Sequence, residues 1–481
     1  MTANQDFRFE HFVAGSFVPG GPHSIDVLNP STGTKIGAVS DGEAGLVDQA
    51  VAAARAAQDA WAAKPANERG QYLHRMAQGV RDNAAHLAKV IAVEQGKALP
   101  LAEMEVYFTS EYLDYSAEWA RRIEGEIISS DRPGENIFLF RRPLGVVAGI
   151  LPWNFPLFMV ARKVAPALIT GNTIVVKPSE ETPYCAYEFA KIAAAAELPA
   201  GVFNLVAGRG KTVGEALAGH RDVNMISFTG SSAAGSAIMA NAARNVTKVS
   251  LELGGKAPSI VLDDANLDLA AAVLKASKTI NTGQACNCTE RVYVQRKVLA
   301  EFSEKLAAAV GSITYGDPLG ATPVEMGPLI NRAAVDRIGQ LVDDARAKGA
   351  DILTGGSKAE IGNGFHFKPT VIANIKPGMD ILQREIFGPV IMVEPIDSLE
   401  EGIAKANANE YGLSSSIFTT NLNSAMHAIK GLKYGETYVN RENFEAIQGF
   451  HAGVRRSGIG GADGKHGLYE FMHTQVAYIQ S

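Results

Sequence analysis

The stretch that most restricts the fold runs from Leu144 to Asp263, where the apolar pattern switches repeatedly between a period of about two and one of about 3.6. Segments 145–151, 173–177, 202–207, 225–228 and 248–253 read as short strands. The spacing between them predicts helices through Arg162, through Ala194, near Val213 and from Ser232. Repeated strand–helix–strand units build a parallel sheet by right-handed crossovers, and ligands of such sheets bind outside the carboxyl ends of the strands. Chemistry is therefore expected in the loops that follow these strands.

Four of those loops carry suitable residues. Lys177-Pro178-Ser179-Glu180 offers a cation and an acid that can hydrogen-bond ribose hydroxyls, and the acid would repel a 2′-phosphate. A solvated loop with a proline turn explains the same residues. Phe228-Thr229-Gly230-Ser231-Ser232 ends a strand and opens a helix, where free N–H groups attract phosphate and an ordinary helix cap fits equally well. In Pro152-Trp153-Asn154-Phe155-Pro156 an asparagine amide between two prolines is a fixed donor for a developing oxyanion, or simply a turn residue. Leu251-Glu252-Leu253-Gly254-Gly255 sets a carboxylate between leucines, where an apolar setting would raise its pKa toward that of a useful base.

Two of the three cysteines fall in a fifth stretch, Thr279 to Arg291. Gly283 marks a turn, and Gln284, Asn287 and Thr289 keep the surroundings polar, so the Cys286 thiol is open to a substrate and its thiolate to backbone N–H groups. A free cysteine is more often a small buried hydrophobe. A zinc site would need a second ligand cluster, and no paired C-x-x-C or H-x-x-x-H is present, so no metal is expected.

The remainder of the 481-residue chain implies two or three domains. Short strands are expected over 8–40, then helices over 46–63, 67–83 and 85–95. Residues 125–143 read as a hairpin turning at Asp131-Arg132-Pro133-Gly134, and 474–479 as an isolated strand. Together they suggest an oligomerisation arm, with an intrachain sheet as the alternative. A further region, roughly 257–440, has its own strand and helix alternation and carries the cysteine loop.

With 45 Lys+Arg against 51 Asp+Glu the net charge is −6, too mild for a general polyanion binder, so no nucleic-acid partner is expected. The start Met-Thr-Ala-Asn-Gln-Asp-Phe-Arg has no leader-like apolar run, and no stretch of about 18 apolar residues follows. Three cysteines cannot form a disulfide framework. These facts predict a soluble protein of the reducing cytoplasm with no membrane partner.

Taken in order, the five loops and Glu385-Ile386-Phe387-Gly388-Pro389 match one pattern: over essentially its whole length the sequence resembles the NAD(P)-dependent aldehyde dehydrogenases. The resemblance implies an α/β fold with a Rossmann-type cofactor domain (1–123 and 144–256), an α/β catalytic domain (257–440), a β oligomerisation arm (124–143 and 461–481) and a substrate-pocket loop (441–460) returning to the cofactor domain. Cys286, in the family's G-Q-x-C position, would be the nucleophile and Cys288 a packing neighbour or redox partner. Asn154 and the Cys286 N–H would form the oxyanion hole, Glu252 would activate water, and Lys163 would help to order the centre.

By the same carry-over NAD, with NADP less favoured, would be held by Lys177 and Glu180 at the adenosine ribose. Trp153 would lie at the adenosine side, Gly230 and Ser231 at the pyrophosphate, Glu385 and Phe387 at the nicotinamide ribose. A homotetramer is implied. Many relatives carry Arg-Glu where this chain has Gly461-Ala462, which removes a secondary acid.

Three positions that often hold aromatic rings in the family's substrate tunnel are polar here: Arg162, Glu445 and His451. A polar tunnel would favour a short aldehyde bearing hydroxyls. The stretch 438–467 is similar to that of bacterial lactaldehyde and glycolaldehyde dehydrogenases, implying lactaldehyde and glycolaldehyde as substrates. Succinate semialdehyde, whose carboxylate Arg162 would bind, is the alternative, and a structural Arg162–Glu445 salt bridge is the plainer account of two of the three. Other readings are an inactive structural homologue, which would be expected to have lost Cys286 or Glu252, and an acyl transferase to coenzyme A, which would not need Glu252.

Overall fold

The computed structural model describes residues 7–481, so the Met1–Asp6 start on which the leader expectation rests lies outside the described residues. Its first large sheet has eight strands in the order Gly458–Ile459, Lys248–Glu252, Met225–Thr229, Val146–Ile150, Thr173–Lys177, Phe203–Leu205, His11–Val13, Ser16–Val18. The five strands from Lys248–Glu252 to Phe203–Leu205 are parallel, and the others join antiparallel at the two edges. Every residue of Val146–Ile150, Thr173–Lys177 and Met225–Thr229 is buried, as a sheet covered on both faces requires.

From Val146–Ile150 the chain adds Thr173–Lys177 and Phe203–Leu205 on one side, then Met225–Thr229 and Lys248–Glu252 on the other. The reversal opens a crevice between Val146–Ile150 and Met225–Thr229 at their carboxyl ends. The expected helix near Val213 is one wide turn, Gly210–Gly214, running into Glu215–Ala218.

The second large sheet runs Asp351–Thr354, Thr370–Ala373, Val390–Ile396, Thr289–Gln295, Ala257–Val261, Ser414–Phe418, Glu436–Val439, parallel except at its first strand. The chain passes from Glu252 at the end of one sheet to Ala257 at the start of the other. The carboxyl edge of the first sheet therefore meets the amino edge of the second. Placing ligand loops at carboxyl ends is correct for the first sheet alone, because Cys286 precedes Thr289–Gln295.

The early helices are Ala44–Ala63, Ala66–Asp82 and Ala84–Glu94, followed by Leu99–Glu118, which the apolar spacing did not predict. Its buried face includes Glu105, Thr109, Ser110 and Ser116, so hydrophobic residues alone do not trace it.

Glu126–Ser129, Glu135–Pro143 and Met472–Gln480 form an antiparallel three-stranded sheet, with Met472 opposite Pro143 and Gln480 opposite Glu135. The hairpin and the last strand thus pair within one chain. Ile127, Tyr478 and Ile479 nevertheless stay 73%, 67% and 50% exposed. Among the described residues no helix is long and apolar enough to cross a membrane.

Candidate active site

The turn Pro152–Pro156 lies at the crevice because the Val146–Ile150 strand ends there. A buried ion pair fixes it. Lys97 Nζ donates to the Asn154 carbonyl at 3.0 Å, stands 3.8 Å over the Phe155 ring and bonds Glu105. Glu105 Oε1 in turn accepts the Leu157 and Phe158 amides at 2.9 and 3.1 Å, satisfying free N–H groups where the helix Phe158–Ile169 starts. The Asn154 amide donates to the Gln284 carbonyl at 3.0 Å, which leaves its second N–H for the cavity it lines.

The cysteine loop is polar but closed. Gln284, Asn287 and Thr289 are buried, and Asn281, Thr282 and Gly283 are all left-handed, with φ of 48°, 60° and 69°. A β-branched residue such as Thr282 is strained there, and partners on every side hold it. Thr282 Oγ1 donates to the Gly327 carbonyl at 3.0 Å, and the Asn281 amide to the carbonyls of Asn154 and Gln284 at 2.9 and 3.1 Å. Gly283 has no substitute, since a Cβ would fall 2.3 Å from the Gly388 carbonyl oxygen.

The turn sets the two thiols apart. Cys286 is partly exposed in a cavity of about 370 Å³. Cys288 is buried, donates to the Ser277 carbonyl at 2.9 Å and has its pKa pushed up to about 11 by burial. It packs, as expected, and offers no thiolate at neutral pH.

Glu252 lies across that cavity, and here the sequence expectation is corrected. Burial pushes its pKa up, but Lys163, Arg162 and His451 together outweigh burial and hold the carboxyl at about 2. One oxygen accepts from Lys163 Nζ at 2.8 Å and Thr229 Oγ1 at 2.5 Å, while the other is buried without a hydrogen-bond partner among the described residues. The flanking leucines predicted an apolar site because Lys163 is 89 positions away.

Along the crevice, Lys177 Nζ donates to the Pro178 carbonyl at 2.8 Å and holds Glu180 at 3.2 Å. Ser231 caps the helix Ser232–Ala242, and Gly230 lines the cavity beside it. Glu385 takes the Gly255 amide at 2.7 Å, and its pKa is pushed up to about 7 by burial and then by the Glu290 carboxylate. Trp153, expected at the adenosine side, stands edge-on to Phe387 with ring centroids 5.5 Å apart, beside the residue assigned to the other ribose. Hydroxyl-binding carboxyls at both ends and a capped helix start between them fit a dinucleotide.

Arg162, Glu445 and His451 do come together, but not as a free polar lining. Arg162 is buried and bidentate to Asp463, with Nε 3.0 Å from Oδ1 and Nη2 on Oδ2. Its Nη1 reaches Glu445 at 3.2 Å, so the plainer salt-bridge account holds and Asp463 extends it. Glu445 also accepts the Asn287 amide at 2.9 Å. His451 is 2% exposed and, unlike Arg162 and Glu445, lines neither this cavity nor the next. It sits behind the thiol, with Nε2 4.0 Å from Cys286 Sγ and Nδ1 2.9 Å from Glu436.

The expected polar tunnel is therefore a mixed one, with rings set among its charged groups. A second cavity of about 520 Å³ shares Phe155, Phe158, Phe444 and Glu445 with the first and continues past Tyr107 and Phe108, so rings line the approach. Sequence reasoning missed Lys97, Glu105, Thr229, Glu436 and Asp463. Only Thr229 and Asp463 stood inside stretches already singled out, and Asp463 supplies a buried acid directly after the Gly461-Ala462 pair.

Comparison with known proteins matches the model of the aldehyde dehydrogenase family to residues 17–477. The chain is 55% identical to lactaldehyde dehydrogenase of Escherichia coli over 98% of both chains. It is 40% identical to the 3,6-anhydro-alpha-L-galactose dehydrogenase of Vibrio sp. strain EJY3, over 98% of this chain and 99% of that one. The crystal structure of the Escherichia coli lactaldehyde dehydrogenase superposes with a TM-score of 0.97, covering 98% of this chain and 99% of that one.

Proposed function

This chain belongs to the aldehyde dehydrogenase family, and from that premise we propose that it oxidises short hydroxyaldehydes, lactaldehyde to lactate and glycolaldehyde to glycolate, with NAD as acceptor. The observation that carries the substrate class is the ion pair of the buried Arg162 with Glu445, both of which line the cavity that holds the thiol. A hydroxyl on the carbon next to the carbonyl would meet this pair. Arg162 has five N–H donors, three of them engaged, so it can still donate. An unsubstituted alkyl chain would leave these groups unsatisfied. Because Asp463 and Glu445 already neutralise Arg162, a carboxylate substrate gains little there, which argues against succinate semialdehyde.

An aldehyde yields hydride only after a nucleophile makes its carbon tetrahedral. Cys286 Sγ attacks the carbonyl carbon, and the Asn154 amide N–H, with the Cys286 N–H, stabilises the thiohemiacetal oxyanion. Lys177, Glu180, Gly230, Ser231, Glu385, Phe387 and Trp153 would hold NAD, which would supply the hydride acceptor. As the oxyanion collapses, the C–H bond breaks, the hydrogen leaves with its electron pair, and a thioester remains on Cys286. Glu252 takes the proton of the hydrolysing water, and for this its ion pair with Lys163 must loosen, since a carboxylate whose pKa is held at about 2 is a weak base.

The domain boundaries above and a homotetramer using the exposed arm sheet form part of the same proposal. The test is steady-state kinetics on lactaldehyde, glycolaldehyde, succinate semialdehyde and hexanal, each with NAD and NADP. Lactaldehyde or glycolaldehyde with NAD is expected to give the highest kcat/KM. The highest value for hexanal would overturn the hydroxyaldehyde reading, and product appearing as acyl-CoA when coenzyme A is added would overturn hydrolysis.

A further inference from the structure

We propose that His451 acts on the nucleophile rather than on the substrate, pairing as an imidazolium with the Cys286 thiolate and oriented for that role by Glu436. The geometry places a thiol at one nitrogen of the ring and a carboxylate at the other. Nε2 lies 4.0 Å from Cys286 Sγ, and Nδ1 lies 2.9 Å from Glu436 Oε1. With the carboxylate accepting, Nδ1 carries its proton and Nε2 faces the sulfur. The His451 backbone is fixed by its amide and carbonyl, which both pair with Ala462 at 2.9 Å, and the ring is held by its bond to Glu436. Its absence from both cavity walls leaves the thiol as its functional neighbour.

The surrounding charges favour the ring cation. Burial opposes it and so does Arg162 from the helix Phe158–Ile169, but Glu445 from the loop and Glu436 from the strand outweigh both. Glu445 is 3.8 Å from Nδ1. Across the cavity the Glu252 carboxylate, bonded to Lys163, is the charge that opposes a thiolate. In the step itself the S–H bond breaks, the proton bonds Nε2, and the electron pair stays on sulfur. Thioester hydrolysis releases Cys286 as thiolate again, so the pair is restored without a further proton from His451. Glu436 is a positioning residue that acts through the ring.

This inference rests on Cys286 being the nucleophile, but its test needs neither aldehyde nor cofactor. The purified enzyme is alkylated with iodoacetamide between pH 6 and 8, and modification of the Cys286 peptide alone is timed by mass spectrometry. The parent is expected to give a nearly flat pH profile. In H451N the rate should rise about tenfold per pH unit, as for a thiol titrating without a partner. The isosteric E436Q should show the same steepening and decides the matter if H451N does not fold. A parent profile that already rises tenfold per unit, or a flat one in the variants, would overturn the pair. A flat parent profile with no turnover of any aldehyde would instead sink the proposed function and leave the pair standing.

Discussion

On one side of Cys286 the cavity is walled by loops that leave the ends of parallel strands, each within a few residues of its strand: Asn154, Thr229 to Ser231 and Glu252, with Lys177 to Glu180 at the end of a neighbouring strand. On the other side Arg162 and Glu445 line the cavity and a knot of paired charges backs them, in which Arg162 meets Asp463 from 301 positions away and His451 meets Glu436 across 15. The first wall is a product of topology, since any chain with that strand order opens a crevice at that reversal. The second is a product of pairing, and each member depends on the others staying charged.

The thiol between the walls gives the largest effect. C286A is expected to reduce NADH formation at least about a thousandfold, because among the described residues no other thiol lines the cavity. C288A should stay within about threefold of the parent, since its thiol only packs. Equal losses in the two variants, by stopped-flow or steady-state assay, would remove the distinction drawn between them.

The charged knot should fail as a unit. R162L leaves Asp463 buried without its ion pair and Glu445 with His451 as its counter-charge, and breaking a buried pair typically costs about 3–5 kcal/mol. Thermal melts should record this as a large fall in Tm, with R162L/D463N recovering part of it. If R162L melts with the parent and only its preference for hydroxyaldehydes changes, the knot is a specificity device and not a structural one.

What the sequence discloses follows the same division. Alternation of period places five parallel strands within one or two residues of their ends, and motif order finds Cys286, Glu252 and Asn154 because backbone topology carries them to one edge. The charge state of Glu252 was not legible, since it depends on Lys163, Arg162 and His451, which neither adjoin it nor share a pattern with it. Lys97 and Glu105 were hidden for a related reason. A buried ion pair looks in sequence like two surface residues, and only the fold reveals that Asn154 hangs from it. The arm was recognised as strands, while their pairing, 333 positions apart at Arg142 and Gln475, needed coordinates.

Two carboxyls in the cavity respond to pH in opposite senses. Glu252, held at about 2, is ionised more readily in the folded protein than in the unfolded chain, so it stabilises above about pH 4.5 and loses that contribution as pH falls toward 2. Glu385, pushed up to about 7, binds its proton more tightly when folded. It favours the fold below about pH 4.5, and that contribution is lost as pH rises toward 7. The Tm of E385Q should therefore gain on the parent between pH 5 and 8, whereas E252Q should trail it throughout that range and catch up only in acid. Parallel curves for E385Q and the parent would mean that Glu385 titrates normally.

The smallest effect belongs to the crevice wall, at Glu180. Its side chain is 35% exposed and held by Lys177 at 3.2 Å, so water screens it far more than it screens Arg162. A unit charge about 4 Å from another is worth roughly 1 kcal/mol in water-like surroundings, and a 2′-phosphate near pH 7 carries more than one. Removing the carboxylate charge in E180Q should thus raise kcat/KM for NADP relative to NAD by about tenfold, which corresponds to about 1.4 kcal/mol. Tm should hardly move, because Lys177 keeps its bond to the Pro178 carbonyl. One charge removed on either side of Cys286 then gives opposite signatures, a lost fold at Arg162 and an altered cofactor ratio at Glu180. An unchanged NADP/NAD ratio would show that the neighbouring loop, and not this carboxylate, sets the preference.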